Sequence, residues 1–115
     1  MAFSEFELAR IEKTLGSYVE LIRPPMHIRP ELDISFRVAG QSVEILEIRP
    51  RYGNKREMLE SQVAKATYVK ARNVWKVFWR RADLKWHPYP PKLHVKTMDA
   101  FILLVEQDAH HCFWG

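Results

Sequence analysis

Hydrophobic positions along this chain change period twice, and the changes outline a helix, a run of strands and a second helix. Leu8, Ile11, Leu15, Val19 and Ile22 recur every three or four residues, which predicts an amphipathic helix over residues 5–22. Its start is written in Ser4-Glu5-Phe6-Glu7, a serine N-cap with a glutamate three residues on, and Phe3 and Leu8 supply the accompanying hydrophobic staple. Gly16 weakens the helix middle by about 1 kcal/mol relative to alanine. Pro24 and Pro25 end it.

The period then drops to two. Leu32, Ile34, Phe36 and Val38 alternate with Asp33, Ser35 and Arg37, the pattern of a half-buried strand. Gly40-Gln41 suits a type II′ turn. That turn sets Val38 opposite Val43, Arg37 opposite Glu44 and Phe36 opposite Ile45, two apolar pairs and one of opposite charge. Glu47 then falls on the apolar side, opposite Ile34. Residues 50–60, PRYGNKREMLE, read as a charged loop with a helical turn around 57–62. Val63 to Val69 resumes as a strand. A turn at Ala71-Arg72 pairs it with the next strand, so that Tyr68 lies by Trp75, Ala66 by Val77 and Ala64 by Trp79.

Residues 74–90, VWKVFWRRADLKWHPYP, predict the central hairpin. Trp75, Val77 and Trp79 share one face, and Lys76, Phe78 and Arg80 the other. A turn centred on Ala82-Asp83 places Trp79 opposite Trp86, Arg80 opposite Lys85 and Phe78 opposite His87. A three-residue loop instead sets Trp79 across from His87 and mixes the faces. The face-preserving register is the expectation, because a slip of one exchanges core and solvent sides. Pro88, Pro90 and Pro91 stop the strand. Thr97 caps a second helix with Asp99 in its first turn and Phe101, Leu104 and Val105 on its buried side. Phe113 and Trp114 at the end of the chain are expected to dock on the body. The fold class is α+β: one domain over residues 1–115, an antiparallel sheet of about five strands, and N- and C-terminal helices on the face of Trp75, Trp79 and Trp86.

Composition narrows the class further. At 115 residues and 47% hydrophobic the chain can bury one proper core and is not a disordered segment. The single cysteine, Cys112, excludes an intrachain disulfide framework. There is no signal-peptide pattern and no apolar run of the ~20 residues that a membrane helix requires, so a cytoplasmic location and no membrane partner are expected. Charge is uneven. Residues 63–96 hold nine basic side chains against the single acid Asp83, whereas residues 1–62 hold nine basic and ten acidic ones. A block of that sign attracts polyanions, although lysines also serve simply to protect sheet edges.

The segments VEILEIRPR, VAKATYVK, VWKVFWRRADLKWHPY and the terminal CFWG, in this order and spacing, resemble a family of short bacterial proteins described only as a domain of unknown function. The resemblance covers nearly the whole chain and implies no activity, cofactor or catalytic residue.

Function is therefore read from the residues. The leading expectation is a binding module, not an enzyme. Lys65, Lys76, Arg80 and Lys85 would contact the phosphates of a nucleic acid, and Phe78, His87 and Tyr89 would stack on its bases. A second reading is a Mg²⁺-dependent nuclease of the restriction-endonuclease type built on Asp33, Glu47 and Arg49, with Glu12 on the first helix. It departs from that pattern in having arginine for lysine and in the opposite parity of Asp33 and Glu47. Glu44 shares the parity of Asp33 but breaks the motif. A third reading is an interaction module or homodimer acting through an open sheet face or edge. His110, His111 and Cys112, with His87 or His94, lack the spacing of a zinc site, so no metal or other cofactor is expected. No base is oriented toward Cys112 by any sequence feature.

Overall fold

Both helices and the antiparallel sheet are present in the computed structural model, which describes residues 3–114 apart from the side chain of Lys55; Gly115 of the terminal segment lies outside. Helix α1 spans Glu5–Ile22. Its capping box forms as expected: Glu7 N–H donates to Ser4 Oγ at 3.1 Å, and Ser4 N–H donates to Glu7 Oε1 at 2.9 Å. The bond from the Ser4 amide holds the Glu7 carboxyl below its ordinary range. Ile11, Leu15, Tyr18 and Val19 form the buried side. Burial pushes the Tyr18 hydroxyl up to about 12.

The strands are β1 (Asp33–Ala39), β2 (Ser42–Arg51), β3 (Asn54–Val69), β4 (Val74–Arg80), β5 (Trp86–Pro88) and β6 (His94–Val95), followed by α2 (Met98–Gln107). The sheet order is β1-β2-β3-β4-β5, with β6 pairing β4 beside β5, and every pairing is antiparallel. The first hairpin has the expected register, including Arg37 opposite Glu44 and Ile34 opposite Glu47. Gly40 takes φ 59° as the first central turn residue. The β3–β4 pairs Tyr68–Trp75, Ala66–Val77 and Ala64–Trp79 also match the expectation. Ala64 faces the Trp79 ring and Ala66 faces Val77, and both alanines are fully buried.

Two expectations fail. Residues 50–60 are not a loop with a helical turn: β2 and β3 continue as a two-stranded arm joined at Tyr52-Gly53, with Gly53 at φ 83°. The arm extends past the first residue of β1, where both of its faces meet solvent, so its side chains need not alternate. Pro50 is tolerated because β1 ends its pairing at Ile48 and leaves no partner for the missing N–H. The register also shifts between Pro50 and Arg51, and again between Ile45 and Leu46.

The second failure is the β4–β5 register. Trp79 lies opposite His87, Arg80 opposite Trp86 and Phe78 opposite Pro88. The loop is the three-residue one: Arg81 N–H donates to the Lys85 carbonyl at 3.2 Å, and Leu84 N–H donates to the Arg81 carbonyl at 2.8 Å. Leu84 sits at φ 63°, a conformation that costs a leucine about 1–2 kcal/mol. Asp83 offsets part of this by accepting from Lys85 N–H at 2.9 Å and bonding the His87 ring at 2.8 Å. What decides the parity lies downstream. Tyr89 is 1% exposed, and its ring packs 4.8 Å from that of Phe113. Tyr89 N–H donates to the Val77 carbonyl, and Val77 N–H donates to that of Leu93. Burying Tyr89 beside Val77 turns Trp86 to the opposite side, so Trp79 and Trp86 are separated by the sheet.

Both helices pack on the side bearing Trp75 and Trp79, joined to Val43, Ile45, Ala64, Ala66, Val77 and Tyr89 in one connected core. The chain end docks as expected. Asp108, 8% exposed at φ 39°, caps α2 and accepts from Phe113 N–H at 3.0 Å and Trp114 N–H at 2.9 Å. The Trp114 indole donates to the Val105 carbonyl at 3.1 Å.

Candidate functional site

Alternation along three paired strands builds the other side of the sheet. Lys65 on β3 stands opposite Phe78 on β4, Thr67 opposite Lys76, and Arg80 opposite Trp86 on β5. None of these residues enters the connected core, and among the described residues no helix lies on them. Lys76 is exposed, whereas Lys65, Phe78, Arg80 and Trp86 are half-buried against one another. The Lys65 ammonium sits 5.4 Å from the Phe78 ring centre and 5.7 Å from that of Trp86. The Arg80 guanidinium lies 5.9 Å from the Trp86 ring. Each such contact contributes about 0.5–1 kcal/mol at an exposed site. Two rings are thereby interleaved with two cations on an uncovered sheet, and such a surface can engage a flat ring and an anionic group together.

The slip in register redistributes the expected site residues. Lys65, Lys76, Phe78 and Arg80 are brought together on this face. Lys85 is exposed in the loop at its end. His87 is on the Trp79 side, tied to Asp83, whose carboxyl lies below its ordinary range through that bond and the one from Lys85 N–H. Tyr89 is in the core, where burial raises its hydroxyl pKa, so its ring is closed to any ligand. Trp86 takes the place that His87 and Tyr89 vacate. The signal for it was the three-residue loop, which the sequence allows. Glu44 on β2 stands across from Lys65. Glu44 is already engaged, with Arg37 at 3.6 Å and the Gln62 amide at 2.6 Å.

The other candidates are not assembled. Asp33 accepts two bonds from the Arg23 guanidinium, at 2.9 and 2.8 Å, and that pairing keeps its carboxyl below the ordinary range. Glu47 pairs with Arg49 at 2.5 Å on the opposite face of the sheet from Asp33. Glu12 is exposed on α1. Among the described residues no three His, Cys, Asp or Glu side chains converge as a metal site, and His94, His110, His111 and Cys112 form none. The Cys112 thiol contacts the His110 carbonyl at 3.6 Å, and burial raises its pKa, the wrong direction for a nucleophile. A cleft of about 280 Å³ between α1 and the start of α2 is lined by Phe3, Tyr68 and Trp75 together with Arg10 and Lys96. It is small for a ligand pocket and holds none of the expected site residues.

No helix among the described residues is long and apolar enough to cross a membrane. One protein-family model, described as a domain of unknown function, matches residues 3–115. No curated protein and no solved structure matches the chain.

Proposed function

The chain belongs to that family, the domain of unknown function DUF3024, and since membership assigns no activity, we propose from the site itself that it binds single-stranded nucleic acid across the open face of the sheet. The observation that carries this is the Lys65 ammonium within 5.4 Å of the Phe78 ring centre and 5.7 Å of that of Trp86, with the Arg80 guanidinium 5.9 Å from the same indole. A base stacking on either ring brings its phosphate beside a cation. In a duplex the base faces are hidden, so rings of this kind favour single strands. Lys76 and Lys85 extend the positive surface along the strand and into the loop.

The test is a titration of labelled single-stranded oligonucleotides at several salt concentrations. Log affinity falls linearly with log salt, by about 0.7 for each phosphate neutralised. Trp86→Ala weakens binding at all salts, and Lys76→Glu with Arg80→Glu both weakens it and flattens the salt slope. Binding left intact by both variants, or an absence of salt dependence, contradicts the proposal.

A further inference from the structure

The edges of this sheet are not equally protected. On one side β5 has three residues and ends in Pro88, β6 has two, and Pro90, Pro91 and Lys92 fill the gap between them. The β2–β3 arm carries Pro50 and the register shift beside it. These are the usual devices that keep a sheet from pairing with another chain. Strand β1 has none of them. It runs seven residues, Asp33–Ala39, with no proline, no lysine and no break in its register to β2.

Its free hydrogen-bonding groups can be identified by alternation. The two-residue turn at Gly40-Gln41 closes on Ala39 and Ser42, and Tyr68 N–H donates to the Gln41 carbonyl. Glu44 and Leu46 therefore bond toward β1, and Ile34, Phe36 and Val38 direct their backbone groups outward. Among the described residues the only bond made there is from Ile34 N–H to the adjacent Asp33 Oδ1, at 2.8 Å.

We infer that a second copy of this chain pairs with this edge, β1 against β1 in antiparallel register about Ser35, making one sheet continuous through both chains. The side chains supply the register. With Ser35 on the two-fold axis, Asp33 stands opposite Arg37 of the other copy at both ends, and Ile34 stands opposite Phe36 on the helix-covered side. Two opposite-charge pairs and two apolar pairs result from one seven-residue strand. Outward bonding and face parity allow slides of two residues only. Sliding one way sets Asp33 opposite Ala39 and Ser35 opposite Arg37, which forms no opposite-charge pair between the two copies; Asp33 then keeps only its Arg23 partner and Arg37 only Glu44 and Glu60 of its own chain. Sliding the other way runs the pairing off the start of the strand. The two-fold axis stands perpendicular to the sheet, so both Lys65–Trp86 surfaces come to lie on one side of the dimer. The inference does not depend on what those surfaces bind.

The experiment is light scattering or sedimentation of the full chain at micromolar to hundred-micromolar concentration, with two charge reversals. Arg37→Asp alone and Asp33→Arg alone each place like charges opposite one another at both ends and raise the dimer Kd by tenfold or more. Mixing the two variants restores opposite charges at both ends, and a heterodimer forms. In a Cys112→Ser background, Ser35→Cys gives a disulfide-linked dimer on mild oxidation, because the two Ser35 positions face each other across the axis. This arm also serves should a charge reversal impair folding, which circular dichroism reports. A wild type that stays monomeric, reversals that leave the dimer intact, a mixture that stays monomeric, or no Ser35→Cys cross-link overturns the inference.

Discussion

The two sides of this sheet are made from alternate residues of the same strands, yet they answer to different physics. On the helix side Val43, Ile45, Ala64, Ala66 and Val77 are at most 1% exposed, and Leu15, Phe101 and Val105 fill the space above them. On the open side aromatic and charged residues cover one another, and the rings of Phe78 and Trp86 stay outside the connected core. The first side holds the fold together by burial. The second is held by contacts between half-buried rings and cations, and Leu46, opposite Ser35, is the side chain on it that is 3% exposed. The distinction is sharpest at the tryptophans, since Trp75 and Trp79 join the core while Trp86, seven residues beyond Trp79, does not.

Substitutions should separate the two sides by size and by kind of effect. Leu15→Ala, at a site with no exposed surface, lowers stability by about 2–5 kcal/mol in denaturant titrations. A loss under about 1 kcal/mol would break the assignment of that side as the core. Trp86→Ala reverses the pattern: oligonucleotide affinity falls by about 1–3 kcal/mol, while the denaturation midpoint hardly moves. Gly16→Ala raises stability by about 1 kcal/mol, because an added Cβ meets the Phe36 ring at 3.5 Å, an ordinary contact. Destabilisation there would mean that α1 packs closer to β1 than described. The smallest effect is acid-dependent. The Arg23 bond depresses the folded-state carboxyl of Asp33, so its contribution is complete above the unfolded value of about 3.9 and is lost as pH falls through the folded value. Asp33→Asn therefore lowers stability at neutral pH by about 1 kcal/mol or less, and its melting curves converge with the wild type in acid.

The same contrast explains what could be read from the sequence. The β1–β2 hairpin was legible because one glycine turn and three cross-strand pairs agree on a single register. The β3–β4 pairs followed in the same way, from alternation carried across the turn at Ala71-Arg72. The β4–β5 hairpin was not, because its parity is set by a distant contact. Nothing in RADLKWHPYP says that Tyr89 will meet Phe113, twenty-four residues on, or that Leu84 will accept a left-handed backbone to permit it. The arm was hidden for the opposite reason: none of the described side chains of residues 50–60 is buried, so the stretch carries no periodic signal. In the candidate site Lys65, Lys76, Arg80 and Phe78 could be placed from alternation alone, whereas Lys85, expected opposite Arg80, lies in the loop. The ring partners could not, since a slip of one exchanged Trp86 for His87 and Tyr89.

The central claim is that Trp86, and neither Trp75 nor Trp79, faces a ligand on the open side. Four indole N–H resonances report on it directly. On titration with a single-stranded oligonucleotide at low salt, the Trp86 indole signal shifts or broadens while those of Trp75 and Trp79 stay in place. A Trp86 signal that does not move, or a larger shift at Trp79 than at Trp86, would contradict the account.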